Sequence, residues 1–327
     1  MMSRSICIAL GAVAMCLSPL PCAAEKVPLL SHREVIPFSG EVTDSKNLSG
    51  IAQINGYFAV CADEVAQFNL LKMDGGRFKV FETVALSDDD VEVDMEGMTA
   101  EGSSLYIVGS HSLARKATDV EKTYKKNRER ILKVSEDEAR DQLFRLNIGE
   151  NGKIKSKKRI RLHKMLRNDP LLGRFVAIPS KENGLDIEGI AIKDSKLHIG
   201  FRGPVLRGNY VPMLVFEFDD PDEYEILFVN LNGQGVRDLT AVNDGFLILA
   251  GPVGDAADGS FVYLWNGLDC LVGSDSPGGT CTLLAELEPP KDGKAEGLVV
   301  NETANEYELL VVFDGVADGV FRFLLPK

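Results

Sequence analysis

Asp94-Met95-Glu96-Gly97-Met98-Thr99 puts an acid and a glycine at the head of a short apolar run. The order returns at Asp186-Ile187-Glu188-Gly189-Ile190-Ala191 and at Lys294-Ala295-Glu296-Gly297-Leu298-Val299. Leu48-Ser49-Gly50-Ile51-Ala52 and Val236-Arg237-Asp238-Leu239-Thr240 keep the frame with other polar residues. Each start is followed by a turn and a second apolar segment: 57–62, 105–110, 197–201, 246–250 and 307–313. A supersecondary unit recurring in this way implies a ring of modules whose polar starts converge at its centre.

Extending outward from each start, nearly every unit reads as four strands of four to nine residues, bounded by Gly, Asp or Asn. The expected strands are 50–53, 57–62, 67–73 and 78–86 in unit one, and 189–193, 196–201, 213–218 and 224–229 in unit three. Unit four gives 239–242, 246–250, 260–265 and 281–286. Unit two gives 97–100, 105–110, 141–147 and 159–163, interrupted by a charged, partly helical insertion at about 112–140. The fifth unit runs out of chain after three strands, while residues 34–38 form an unassigned strand at the other end. Placing that strand on the edge of unit five closes the ring and removes an open edge. The reading is therefore all-β, a five-bladed β-propeller, with a sixth blade hidden in 112–184 as the alternative.

Residues 1–24 read as a signal peptide: Arg4, an apolar stretch from Ile6 to Leu17, and small residues before Glu25. The apolar run is too short to span a membrane. The expectation is one domain over 25–327, exported to the periplasm or medium, monomeric, with no transmembrane anchor. Three cysteines lie beyond that leader, Cys61, Cys270 and Cys281. Cys61 sits in an apolar strand, whereas Cys270 and Cys281 flank a Gly- and Pro-containing loop where a disulfide is expected in an oxidising compartment.

The net charge of −13 is uneven. Residues 115–167 hold 18 Lys and Arg against 8 Asp and Glu, which leaves the rest of the chain near −23. An acidic body excludes nucleic acid as the main partner. The basic stretch reads as a solvated excursion, or as a segment that binds anions or covers a site.

In a propeller, first-strand starts and second-strand ends share one face. That places Asp94, Glu96, Asp186, Glu188, Asp238, Glu296 and Asp314 together with His111, Arg202, Arg207 and Arg237. So many carboxylates near one axis require cations or protons. Calcium held by Asp94, Asp186, Glu188 and Glu296 is one solution; pairing with the arginines is the other. His111 between two serines could act as a base or only as a hydrogen-bonding partner, and no Gly-x-Ser-x-Gly elbow occurs. A Glu before Gly could equally serve strand packing alone.

Several motifs resemble the bacterial family of domain-of-unknown-function 3616 over essentially the whole chain beyond the leader. They are Asp94-Met95-Glu96-Gly97, Gly109-Ser110-His111-Ser112, Asp186-Ile187-Glu188-Gly189, the arginine loop from Phe201 to Gly208, Val236-Arg237-Asp238-Leu239 and Leu249-Ala250-Gly251-Pro252. The resemblance implies a propeller-like fold and brings no activity. A weaker likeness, through the Glu-Gly starts, is to phytase-like esterase propellers.

The leading functional expectation is a small-molecule, glycan or phosphorylated ligand, anionic or polyhydroxylated, bound by Glu96, His111, Glu188, Arg202, Arg207, Arg237, Asp238 and Glu296. The alternatives are a calcium-assisted phosphoesterase or esterase, with Glu188 or Glu296 activating water, and a protein-interaction platform.

Overall fold

A computed structural model describes residues 27–87, 93–256 and 259–327. The expected signal peptide lies outside these residues. The described chain is all-β in character, built from antiparallel sheets in which consecutive strands are hydrogen-bonded neighbours.

In chain order, β1 (Leu29–Leu30) and β2 (Glu34–Ser39) precede the first unit, β3 (Leu48–Ile54), β4 (Tyr57–Ala62), β5 (Gln67–Asp74) and β6 (Arg77–Ala85). The second unit is β7 (Met95–Glu101), β8 (Ser104–Gly109), β11 (Leu143–Ile148) and β12 (Ile154–Ile160). Between β8 and β11 lie a small ribbon, β9 (Ala114–Arg115) with β10 (Val134–Ser135), and the helix α1 (Tyr124–Leu132). After β12 come α2 (His163–Asn168) and then β13 (Asp186–Lys193), β14 (Lys196–Gly203), β15 (Tyr210–Glu217) and β16 (Asp220–Asn230). The fourth unit is β17 (Gly235–Val242), β18 (Gly245–Gly251), β19 (Ser260–Trp265) and β20 (Cys281–Leu287). The last is β21 (Lys294–Glu302), β22 (Glu306–Asp314) and β23 (Gly319–Pro326).

Burial follows position in the unit. Second strands are apolar on both faces, and every residue of Tyr57–Ala62 is buried. The fourth strand Arg77–Ala85 alternates, because one face of it meets solvent. The core lies between neighbouring sheets in four clusters, the largest around Phe201, Met213, Phe216, Phe246 and Trp265. First strands touch in cyclic order: β3 with β7, β7 with β13, β13 with β17, β17 with β21, and β21 with β3.

The segment 34–39 lies where the strand accounting placed it, antiparallel to β23 with Glu34 opposite Arg322. It continues further than expected, since Phe38 and Ser39 run parallel to Phe78 and Lys79 of β6. β1 is parallel to Glu286–Leu287 of β20, so the N-terminal residues cover the edges of three units.

Two expectations change. The fourth strand of unit two is Ile154–Ile160, and His163 begins a helix. Its run of Lys155, Lys157, Lys158 and Arg159 resembles a solvated loop, yet a sheet edge tolerates such charges because they face water. Cys270 and Cys281 stand as free thiols. The loop between them is closed instead by Asn266, whose Nδ2 donates to the Gly278 carbonyl at 3.1 Å and whose Oδ1 accepts from Thr280 N–H at 3.0 Å.

Candidate functional site

Every first strand carries a β-bulge at the same place. The register skips one residue between Leu48 and Gly50, Met95 and Gly97, Ile187 and Gly189, Val236 and Asp238, and Ala295 and Gly297. The residues left over are Ser49, Glu96, Glu188, Arg237 and Glu296, and all of them line one cavity of about 880 Å³. A bulge bends the strand and re-aims the extra side chain, which turns the sequence repeat into an inward ring. On each second strand, the residue after the partner of the pre-bulge residue belongs to a companion set: Asp63, Ser110, Arg202, Gly251 and Asp314.

The glycine after each bulge serves the neighbouring unit. A Cβ on Gly97 would sit 2.7 Å from the Glu188 carbonyl oxygen, and one on Gly297 would sit 3.0 Å from the Gly50 Cα. Unit four has Asp238 at that position. Its carboxylate is buried and accepts from the Leu298 N–H of the next strand at 2.7 Å and from the Leu239 N–H at 2.8 Å. Asp238 therefore ties strands together and is not among the cavity-lining residues.

The arginines are engaged by carboxylates. Arg202 Nε donates to Asp186 Oδ2 at 2.7 Å, and its Nη1 lies 2.7 Å from Glu188 Oε1. Arg237 Nη1 reaches Glu188 Oε2 at 3.0 Å and Glu296 Oε2 at 2.9 Å, while Nη2 donates to the Pro252 carbonyl at 3.1 Å. One guanidinium thus joins three units. Asp94 accepts from Ser110 Oγ and pairs with Arg140 at 3.1 Å. Glu96, on the opposite arc of the ring, lines the cavity and makes no hydrogen bond among the described residues; Asp63, which lines the same cavity, leaves its Oδ1 unpartnered among them.

Two expected residues lie apart from this cluster. Arg207 is exposed on the loop after β14 and does not line the cavity. His111 is buried with Nδ1 on the Gly109 carbonyl at 2.8 Å and Nε2 unpaired; burial lowers its pKa to about 4, so the ring is neutral at pH 7. Arg140 and Asp63 were not anticipated. Asp63 was legible, since it occupies in unit one the position that Asp314 occupies in unit five. Arg140 comes from the insertion and carries no repeat signature.

Calcium does not fit this donor set. Asp186, Glu188 and Glu296 already give oxygens to guanidinium groups, and Asp94 is held by Ser110 and Arg140. Among the described residues no group of three or more His, Cys, Asp or Glu is arranged to hold a metal ion.

Burial raises several carboxyl groups. Asp63, Asp186 and Glu296 are each pushed up to about 7, and Glu96 well above the usual range. Desolvation is the main cause in each; neighbouring carboxylates add to it, and at Asp186 and Glu296 it outweighs the opposing guanidinium. Between the ordinary carboxyl range near 4 and about 7, the folded chain holds protons that the unfolded chain has released. Stability should therefore fall as pH rises through that window. Urea midpoints measured from pH 5 to 8 check this, and midpoints that climb with pH would refute it.

A family model described as "Protein of unknown function (DUF3616)" matches residues 47–159 and 152–320. No curated protein matches the chain. Among solved structures, Myxococcus xanthus glutaminyl cyclase is 11% identical, with 92% of this chain and 100% of that one covered at a TM-score of 0.49. The PQQ-bound aldose sugar dehydrogenase of Streptomyces coelicolor is 9% identical, with coverages of 91% and 98% and a TM-score of 0.44. The Nup133 β-propeller domain of Vanderwaltozyma polyspora is 10% identical, with coverages of 88% and 73% and a TM-score of 0.40. With both sets of repeat starts inside the matched residues, the chain belongs to the DUF3616 family.

Proposed function

We propose that this chain is a five-bladed β-propeller that binds a polyhydroxylated, donor-rich ligand in the cavity at the mouth of its channel. Five first strands in cyclic contact, each with its own bulge, support the blade count. The ligand reading rests on one observation. The ring guanidinium groups are saturated by carboxylates, whereas Glu96 lines the cavity without a hydrogen bond among the described residues.

An anionic group entering this site would have to displace a carboxylate from Arg202 or Arg237, in a floor that carries more acids than bases. A hydroxyl donor meets no such competition, because Glu96, Asp63 and Asp314 offer acceptor oxygens. Lys116 and Lys294, which make no ion pair among the described residues, stand among the lining residues, so an anionic substituent fits there better than on the floor. The metal-assisted hydrolase reading loses support because its proposed ligands are already paired with cations.

The test is Glu96→Gln, which keeps shape and removes the carboxyl. Because burial disfavours the charged form of Glu96, the variant should melt at or slightly above the wild-type temperature. In a thermal-shift screen of sugars and polyols it should lose the hits that wild type gives, and Asp314→Asn should weaken them. Hits that persist unchanged in both variants would show that the ligand binds elsewhere.

A further inference from the structure

The insertion between β8 and β11 is the most unusual surface of the molecule. From residue 115 to residue 133 it holds eight Lys and Arg against three acids. Val120, Tyr124, Ile131, Leu132 and Val134 are all exposed, with Val120 at 102%, Tyr124 at 76% and Leu132 at 73%. The helix α1 buries none of its residues. An isolated nine-residue helix is marginal in water, so something must hold this one in place.

Its attachments lie on one side. Asn127 Nδ2 donates to the Asp119 carbonyl at 2.9 Å, the Asp119 N–H donates to Asn127 Oδ1 at 3.0 Å, and Arg130 Nε donates to the Ala117 carbonyl at 2.7 Å. Arg115 reaches both the Ile131 carbonyl and Glu182. Tyr124, Arg128 and Leu132 fall at i, i+4 and i+8, a single stripe on a different side of the helix. Arg128 lies against the Tyr124 ring, 5.9 Å from its centroid, and donates to the Tyr124 hydroxyl. Exposed Lys125 and Lys133 lie beside the stripe and make no ion pair among the described residues.

We propose that residues 115–134 form a docking arm for an anionic lipid surface. Aromatic and aliphatic side chains flanked by lysine and arginine combine the two forces that hold a peripheral segment on a bilayer: burial of apolar area and attraction to negative headgroups. Nucleic acid or a polyanion would use the charges and leave the apolar stripe wet. A second copy of this chain offers an acidic body and one exposed apolar loop, Leu268, Leu271 and Val272, so self-association through that loop is an outcome the experiment separates from lipid binding. Ala114, Arg115, Lys116, Ala117, Thr118 and Ile131 also line the cavity, so docking would bring the cavity mouth to the headgroup layer. The inference stands independently of the ligand reading.

The experiment is co-sedimentation of the full chain with vesicles of phosphatidylglycerol and phosphatidylcholine, against phosphatidylcholine alone. Wild type should bind the anionic vesicles, weaken as salt is raised, and ignore the zwitterionic ones. Tyr124→Ser with Leu132→Ser, and separately Lys125→Glu with Lys133→Glu, should each reduce binding roughly tenfold or more. Both pairs should leave the melting temperature unchanged, because α1 contributes nothing to the core. All variants carry the same residues 1–26, so any effect of the apolar stretch there cancels. Absence of binding to anionic vesicles, equal binding to both kinds, or variants that bind like wild type would overturn the proposal. So would retention on a heparin matrix without vesicle binding, or a dimer that only the arm variants dissociate.

Discussion

Replacing Arg237 with Met should destabilise the protein by about 3–5 kcal/mol near pH 8, the cost of breaking a buried ion pair from one side. The substitution keeps the length of the side chain and removes the charge that faces Glu188 at 3.0 Å and Glu296 at 2.9 Å. Glu188 retains Arg202 through its other oxygen, 2.7 Å away; Glu296 keeps no direct ion pair among the described residues and feels Arg202 only at longer range. The penalty should shrink toward pH 5, because an unpaired carboxyl with an already raised pKa then takes up a proton. Adding Glu296→Gln to Arg237→Met should restore most of the loss, since the orphaned charge is gone. Chemical denaturation at the two pH values measures both effects. A single variant that loses less than about 1 kcal/mol, the ordinary worth of an exposed pair, would show that Arg237 does not tie the three units together.

Gly97→Ala is the second substitution with a large expected effect. Its new Cβ would meet the Glu188 carbonyl oxygen at 2.7 Å and Ile190 Cγ2 at 3.1 Å. The first contact is backbone of the adjacent first strand, so relief requires β7 and β13 to separate. Overpacking of this kind costs about 1–3 kcal/mol, sometimes more, and here it should also displace Glu96 and Glu188 in the ring. Gly189→Ala provides the contrast. Its nearest contacts are Leu239 Cδ2 at 2.7 Å and Val236 Cγ1 at 2.8 Å, side-chain atoms with more freedom to move. Thermal melts should rank Gly97→Ala as the more damaging of the two; the reverse order would mean that the sheets part more easily than side chains repack.

These two substitutions separate the roles mixed in each acid–glycine pair. The glycine is a packing residue, and the preceding polar residue is the one that faces the cavity. Reading the sequence as a repeat identified both, but it assigned neither role. Asp238 shows why. In the sequence it looks like one more acid of the cluster, yet the bulge assigns the inward position to Arg237 and leaves Asp238 at the glycine position. A one-residue shift along a strand reverses the face, and only the register reveals it.

The arginines teach a similar lesson. The loop from Phe201 to Gly208 holds two of the arginines expected to bind ligand, Arg202 and Arg207, and the structure separates them. Arg202 lies at the end of a buried strand and turns into the ring, whereas Arg207 lies beyond that strand and meets solvent. Their spacing of five residues could not distinguish the two outcomes, because the strand end that decides them depends on how β14 pairs with β13. Arg140 could not be found from the repeat at all, since an insertion has no counterpart in the other units.

The sequence by itself determined the order of the repeated strand pairs, the N-terminal strand that completes the last sheet, and the acid–glycine starts. Those features are local: alternation, turn residues and recurrence are written along the chain. Which polar residue faces inward and which cations neutralise which carboxylates were decided only by tertiary structure. Those features depend on bulge register and on contacts between units distant in sequence, as at Arg237, whose partners lie 49 and 59 residues away.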